Sequence, residues 1–228
     1  MRRLRTLLSW SSGKDSAWTL HTLRSDARYD VVALVTTINS AADRVAMHAV
    51  RTELLRGQAR AAGLPLWELA IPSPCSNEQY ECVLRDAIER AETEAVDCFA
   101  FGDLFLEDIR AYREKQLAST KLTPIFPLWG RDTDQLARDM IAGGLRARIT
   151  CVDPRVLPGS FAGREFDISL LNDLPAGVDP CGERGEFHTC SYDGPMFNHA
   201  VAIETGVTVE RDGFVFTDLT LGSHQLIT

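Results

Sequence analysis

Residues 31 to 37, Val-Val-Ala-Leu-Val-Thr-Thr, form an uninterrupted run of apolar and β-branched side chains. A strand with one wet face alternates apolar and polar residues. This run does not alternate, so it predicts a strand covered on both faces, the mark of a parallel sheet sandwiched by helices. Further strands are read at the apolar stretch ending at Ser9 and at residues 64–71, 97–102, 125–129 and 147–152. Helical patterns separate them at 16–25, 44–62, 77–94, 106–119 and 132–142, the second stopped by Gly63 and the last by Gly143-Gly144. Alternation sustained over roughly 150 residues predicts right-handed crossovers and a doubly wound α/β sheet, with ligands outside the carboxyl ends of its strands. Pro127 inside the fifth run suits an edge position.

Past Asp153-Pro154 the pattern changes. Residues 155–195 are rich in Gly, Pro and charge, with one short helix expected around 165–173. Residues 200–221 read as antiparallel strands at 201–203, 207–210 and 214–219, turning at Arg211-Asp212-Gly213. The predicted organisation is an α/β domain over 1–153 and a small α+β extension over 154–228, packed over the sheet's ligand edge.

With 228 residues and a net charge of −8, the chain can bury a substantial core, and broad nonspecific nucleic-acid binding is disfavoured. It contains no long apolar span, and the apolar stretch after Arg2-Arg3-Leu4-Arg5 is too short for a signal peptide, so no membrane association and a cytoplasmic location are expected. A homodimer is compatible with these features. The six cysteines contain no Cys-x-x-Cys pair and are expected to be reduced. Cys181, His188 and Cys190 are close in sequence, but their spacing fits no standard zinc module.

The chemistry starts at the first strand-helix junction, Ser9-Trp10-Ser11-Ser12-Gly13-Lys14-Asp15-Ser16. A helix start leaves N–H donors without partners and adds partial positive charge, which suits phosphate. Ser11, Ser12 and Ser16 bring hydroxyls, Gly13 allows close backbone approach, and Lys14 adds what reads as a mobile charge. The stretch is neither a Walker A loop nor a dinucleotide fingerprint. Thr36, Thr37 and Asn39 close the second strand, where backbone groups can meet an adenine edge, and Met47-His48 follow. Gly102-Asp103 ends the fourth strand, where a carboxylate can hold Mg²⁺ against phosphate. In Gly182-Glu183-Arg184-Gly185-Glu186-Phe187-His188-Thr189, two glutamates three apart among glycines predict a binding loop rather than a helix face.

The loop resembles the Ser-Gly-Gly-x-Asp-Ser signature of the PP-loop ATP pyrophosphatases. Taken with Met47-His48, Gly102-Asp103, Pro127-Leu128-Trp129 and the Gly-Glu-Arg-Gly-Glu-Phe-His-Thr stretch, nearly the whole chain resembles the diphthine:ammonia ligase (diphthamide synthase) family, and its bacterial members most. The resemblance implies an adenine nucleotide α-hydrolase (Rossmann-like) fold and a reaction splitting ATP, with Mg²⁺, into AMP and pyrophosphate. A small-molecule or protein carboxylate would be adenylated and joined to ammonia or an amine. Residue by residue, it implies that Ser11, Ser12, Gly13, Lys14, Asp15 and Ser16 hold the pyrophosphate. Thr36, Thr37, Met47 and His48 would lie near adenosine, Gly102 and Asp103 at the phosphates, and Asp15 and Asp103 at the metal. Lys14, Asp15, Glu183 and Glu186 would be catalytic, both glutamates facing the acceptor. Two departures stand out: Ser12 replaces a glycine, and Cys190 an aromatic. A tRNA sulfurtransferase and a non-catalytic nucleotide sensor share the loop and remain alternatives, although the former commonly has paired cysteines and a basic surface.

Overall fold

The computed structural model describes residues 2–39, 44–45, 50–72 and 75–222. In chain order its first part runs β1 (Leu4–Ser9), α1 (Lys14–Ser25), β2 (Tyr29–Asn39), β3 (Arg44–Val45), α2 (Thr52–Ala62), β4 (Leu66–Ile71), α3 (Asn77–Thr93), β5 (Cys98–Ala100), α4 (Glu107–Leu117), β6 (Thr123–Ile125) and α5 (Thr133–Ala142). Five strands are parallel in the order β4-β2-β1-β5-β6, and β3 adds antiparallel to β2. The chain builds outward from β1 on one side, then returns to its other side. The crevice between β1 and β5 is therefore the switch point at which such sheets bind ligands.

The unbroken apolar runs are explained by two cores. On one face Leu8, Leu34 and Ala100 meet α1, α2 and α5 through Leu20, Leu54 and Leu136. On the other, Leu7, Ala33, Val35 and Phe99 meet Ala91 of α3 and Leu117 of α4. Neighbouring residues of each strand serve opposite faces, as the pleat requires.

Three expectations change. Positions 44–45 form a strand, and α2 starts only at Thr52, so the predicted helix over 44–62 is shortened from its front. The fifth strand lies at 123–125 instead of 125–129; it carries Pro124 and sits at the sheet edge, where a missing N–H does least harm. The strand expected at 147–152 is present as β7 (Arg146–Val152) but does not continue the parallel sheet.

Instead, β7 joins β8 (Phe187–Asp193), β9 (Ile203–Arg211) and β10 (Phe214–Leu221) in an antiparallel sheet ordered β8-β7-β10-β9. A 3-10 turn at Gly159–Phe161 and α6 (Ile168–Asp173) lie between β7 and β8. Ala147, Ile149, Phe187 and Leu219 of this sheet share a core with α1 and α2, so the second sheet is fused to one face of the first layer.

One polar side chain crosses that seam. Gln58, fully buried in α2, donates from Nε2 to the carbonyls of Ser12 (2.9 Å) and Ser191 (2.6 Å) and accepts at Oε1 from Trp10 Nε1 (2.9 Å). It thereby ties the exit of β1, the following loop and β8 together. We expect Gln58→Leu to leave these groups unpaired and to lower the unfolding free energy by about 3 kcal/mol, measured by urea denaturation. An unchanged midpoint would show that the amide does not hold the seam.

Candidate active site

The β1–α1 loop is shaped by what holds it from behind. Ser12 has a φ of 72°, in the left-handed region where a glycine costs nothing and serine about 1 kcal/mol. Its carbonyl accepts from Gln58 and from the Ser191 amide (2.9 Å), which offsets that strain and accounts for the glycine usual in the signature. Its side chain is fully buried and, unlike those of Ser11 and Ser16, does not line the cavity described below. A Cβ on Gly13 would stand 3.3 Å from the Thr189 carbonyl oxygen, so this glycine lets β8, not only a ligand, come close. The Lys14 amide donates to Thr189 Oγ1 at 3.0 Å, and Ser11 Oγ donates to Ser16 Oγ, which donates to the Gly13 carbonyl.

Lys14 is not the mobile charge expected. Its ammonium is buried, donates to both Asp15 carboxylate oxygens (3.0 and 2.8 Å) and to the Cys181 carbonyl, and lies 5.5 Å from the Phe187 ring centroid. Burial is the largest influence and opposes the charge, but Asp15, with Cys181 and Glu183 adding to it, holds the lysine pKa above its ordinary value. A short polar loop leaves so long a side chain room only beneath it, between α1 and the 181–187 segment.

Two cavities open along the carboxyl edge of the sheet. The first, about 500 Å³, is lined by Ser11, Gly13, Lys14, Asp15, Ser16, Gly102 and Asp103 on one side and by Arg155, Glu183, Arg184, His188 and Phe214 on the other. The second, about 640 Å³, is more apolar and lies between the sheet and helices α3 and α4, lined by Thr36, Thr37, Leu69, Tyr80, Phe99 and Tyr112. Ser9, Ser11, Phe101 and Arg113 line both, so the two spaces adjoin along these residues. Gly102 brings β5 against the helix start, since a Cβ there would lie 3.1 Å from the Asp15 carbonyl carbon. Met47 and His48 lie outside the described residues.

Asp103 lines the first cavity near Arg113. Burial pushes its carboxyl above the ordinary value, Arg113 pulls it back and Asp15 adds to the rise. Its Oδ2 has no hydrogen-bond partner among the described residues and lies 4.0 Å from Arg113 Nε.

The two glutamates of the acidic loop have different tasks. Glu183 accepts from the Leu104 amide at 2.7 Å and lines the first cavity; burial moves its pKa up to about 7. Glu186 accepts from the amides of Asp179 (3.0 Å) and Arg184 (2.9 Å), so its nearly buried carboxylate staples its own loop. This corrects the expectation that both face an acceptor. Cys181 Sγ is turned to the Thr133 carbonyl, and Cys190 lies beside Gln58. Burial pushes the Cys181 thiol up and that of Cys190 up to about 12, whereas a metal needs thiolates. His188, in the cavity wall, has its pKa lowered by burial to about 4 and is neutral near pH 7. Cys190, in place of the expected aromatic, fits the close approach of Gln58.

Sequence reasoning did not single out Gln58 or Arg113. Both are polar residues on otherwise apolar helical stripes, Gln58 with Leu54 and Ala62, Arg113 with Ile109 and Leu117, and that mismatch was the available signal.

Comparison with known proteins finds a model of the diphthamide synthase N-terminal domain matching residues 4–119 and one of its C-terminal domain matching 132–218. The chain belongs to the diphthamide synthase family. The curated relatives it matches carry the name of a ligase. A diphthine--ammonia ligase of Danio rerio is 28% identical over 221 residues, covering 87% of this chain and 86% of the relative. Those of Rattus norvegicus and Homo sapiens are each 26% identical, with 69% of this chain matched to 65% of theirs. The N-terminal model ends ahead of β6 and the C-terminal model starts just ahead of α5, whereas the change from parallel to antiparallel sheet falls between β6 and β7. Among the described residues no helix is long and apolar enough to cross a membrane.

Glu183 leads to a pH effect. Its folded pKa of about 7 lies above the carboxyl's ordinary value of 4.5, so folding is favoured while the group is protonated. Its contribution is complete below pH 4.5 and is lost as pH rises through 7. We expect Glu183→Gln to flatten this part of the stability–pH profile in denaturation measurements; an unaltered profile would place the titration elsewhere.

Proposed function

We propose that this chain adenylates a carboxylate with ATP, releasing pyrophosphate, and then forms an amide by letting ammonia or an amine displace AMP. The observation that carries this reading is the pair of adjoining cavities with the β1–α1 loop at their junction. One is apolar and ringed by aromatics, as a nucleoside requires. The other is polar and flanked by a helix start and carboxylates, as phosphates and a second substrate require.

In this reading adenosine lies near Thr36 and Thr37, and the β- and γ-phosphates lie over Ser11, Gly13, Asp15 and Ser16. The acceptor carboxylate attacks the α-phosphorus, the bond to the bridging oxygen breaks, and pyrophosphate leaves with the electron pair. Loop N–H groups stabilise that charge, while Lys14, one layer behind, fixes Asp15 and the 181–187 segment in place. Glu183, able to change protonation near pH 7, accepts the proton as nitrogen attacks the acyl-adenylate.

Magnesium fits the donors present. It is typically held by one or two carboxylates plus substrate phosphates, and Asp103 offers a buried oxygen without a hydrogen bond, with Asp15 as a neighbour whose oxygens already serve Lys14. Bound there, it would supply charge neutralisation at the phosphates. The acceptor, a small molecule or a protein carboxylate, would enter between Glu183 and Phe214. The relatives' names give diphthine and ammonia as their substrates. A sulfurtransferase reading is weaker because Cys181, beside the cavity, is kept as a buried thiol. A passive sensor would bind ATP without turnover.

The test is product analysis with ATP, ammonia and a panel of carboxylates. AMP and pyrophosphate are expected; ADP and phosphate, or binding without turnover, would overturn the reading. Asp103→Asn and Glu183→Gln should each reduce turnover by about 100-fold or more. Lys14→Ala should lose activity together with about 3 kcal/mol of stability in urea denaturation, because it strands Asp15.

A further inference from the structure

Arg113 is placed where neither cavity alone explains it. It projects from α4, lines both the nucleoside-sized and the phosphate-sized space, and has its guanidinium carbon 5.1 Å from the Phe101 ring centroid. Its Nε is buried and has no hydrogen-bond partner among the described residues; the nearest carboxylate oxygen, Asp103 Oδ2, is 4.0 Å away and equally unpartnered. Arg51 closes on Asp218 to 2.6 Å, whereas this partly buried pair stays open. Here the planar fork is kept open by stacking on Phe101, with an acidic group across from it.

A nucleotide threading both cavities must carry its α-phosphate past the residues common to them. Ser9, Ser11 and Phe101 are the others, and Arg113 alone among these four carries charge. We propose that Arg113 binds the α-phosphate of the nucleotide, with Asp103 facing the opposite side of the phosphate chain. This rests on the nucleotide-binding reading above and adds a residue to it. The guanidinium would offset the charge that gathers on the α-phosphoryl oxygens while the carboxylate oxygen attaches and pyrophosphate departs, and would remain on AMP until the amide forms. Phe101 fixes the plane of the guanidinium, so the contact is pre-set before the nucleotide arrives.

Binding measurements need no acceptor and isolate one phosphate. Calorimetry of the full chain with adenosine, AMP and pyrophosphate should show AMP preferred to adenosine in the unsubstituted protein. In Arg113→Gln the AMP affinity should fall by about 10- to 100-fold, the range for a charge-assisted bond, with adenosine and pyrophosphate changing less than about twofold. Arg113→Lys, which keeps the charge but loses the planar fork, should recover part of the preference and guards against a folding defect in the first variant. Equal losses for adenosine and AMP would make Arg113 a wall of the nucleoside cavity and overturn the proposal. So would an unsubstituted chain that binds AMP no better than adenosine. If that chain bound none of the three probes, the nucleotide-site reading itself would fall.

Discussion

The site depends on a neutral amide that touches no substrate. Gln58 uses both amide hydrogens and its oxygen, fully buried, to join the end of β1, the Ser12 carbonyl and β8. In a low-dielectric interior such bonds are strong, and the cost of leaving any one unmade is greater than in water. The loop's left-handed turn at Ser12 and the close passage of Gly13 beside Thr189 exist only while that junction is closed. A binding loop is often flexible; this one is backed on two sides by packed structure.

Charge around the loop is arranged in two layers of opposite character. Behind it, Lys14 and Asp15 satisfy each other and the Cys181 carbonyl. In front, Asp103 and Arg113 stay near one another without a hydrogen bond, and Glu183 sits where burial holds its pKa near 7. The first layer resembles a structural ion pair, and the second is an unfinished network of the kind functional sites retain. The strongest charge in the motif, Lys14, thus belongs to the scaffold, and the more distant Arg113 is the one left available.

Much of the fold was legible because it is local. Val31 to Thr37, the Gly63 stop and the helix starts near 77 and at 132 are decided by neighbours in sequence, and the structure has a strand, a helix end and two helix starts within a few residues of these places. Sheet membership is not local: β7 follows a helix as the parallel strands do, yet pairs with β8 and β10, which come 35 or more residues later. The site divides in the same way. The loop's existence follows from its residues, whereas the inward turn of Lys14, the burial of Ser12 and the split between Glu183 and Glu186 depend on groups far along the chain. For Glu186 the deciding partner was nearby, the Asp179 amide, but whether a carboxylate folds back or points outward is set by the positive-φ glycines at 182 and 185.

The bond from the Lys14 amide to Thr189 spans 175 positions. During synthesis the whole parallel sheet, complete at Ile125, is made before Thr189 of β8, an interval of roughly 3 to 13 seconds at ordinary elongation rates. Until then the phosphate loop lacks the strand that fixes its backbone. A nascent chain can therefore possess its complete parallel sheet before the backbone of the β1–α1 loop is fixed, so the stretch that carries the motif is finished by a strand made long after it.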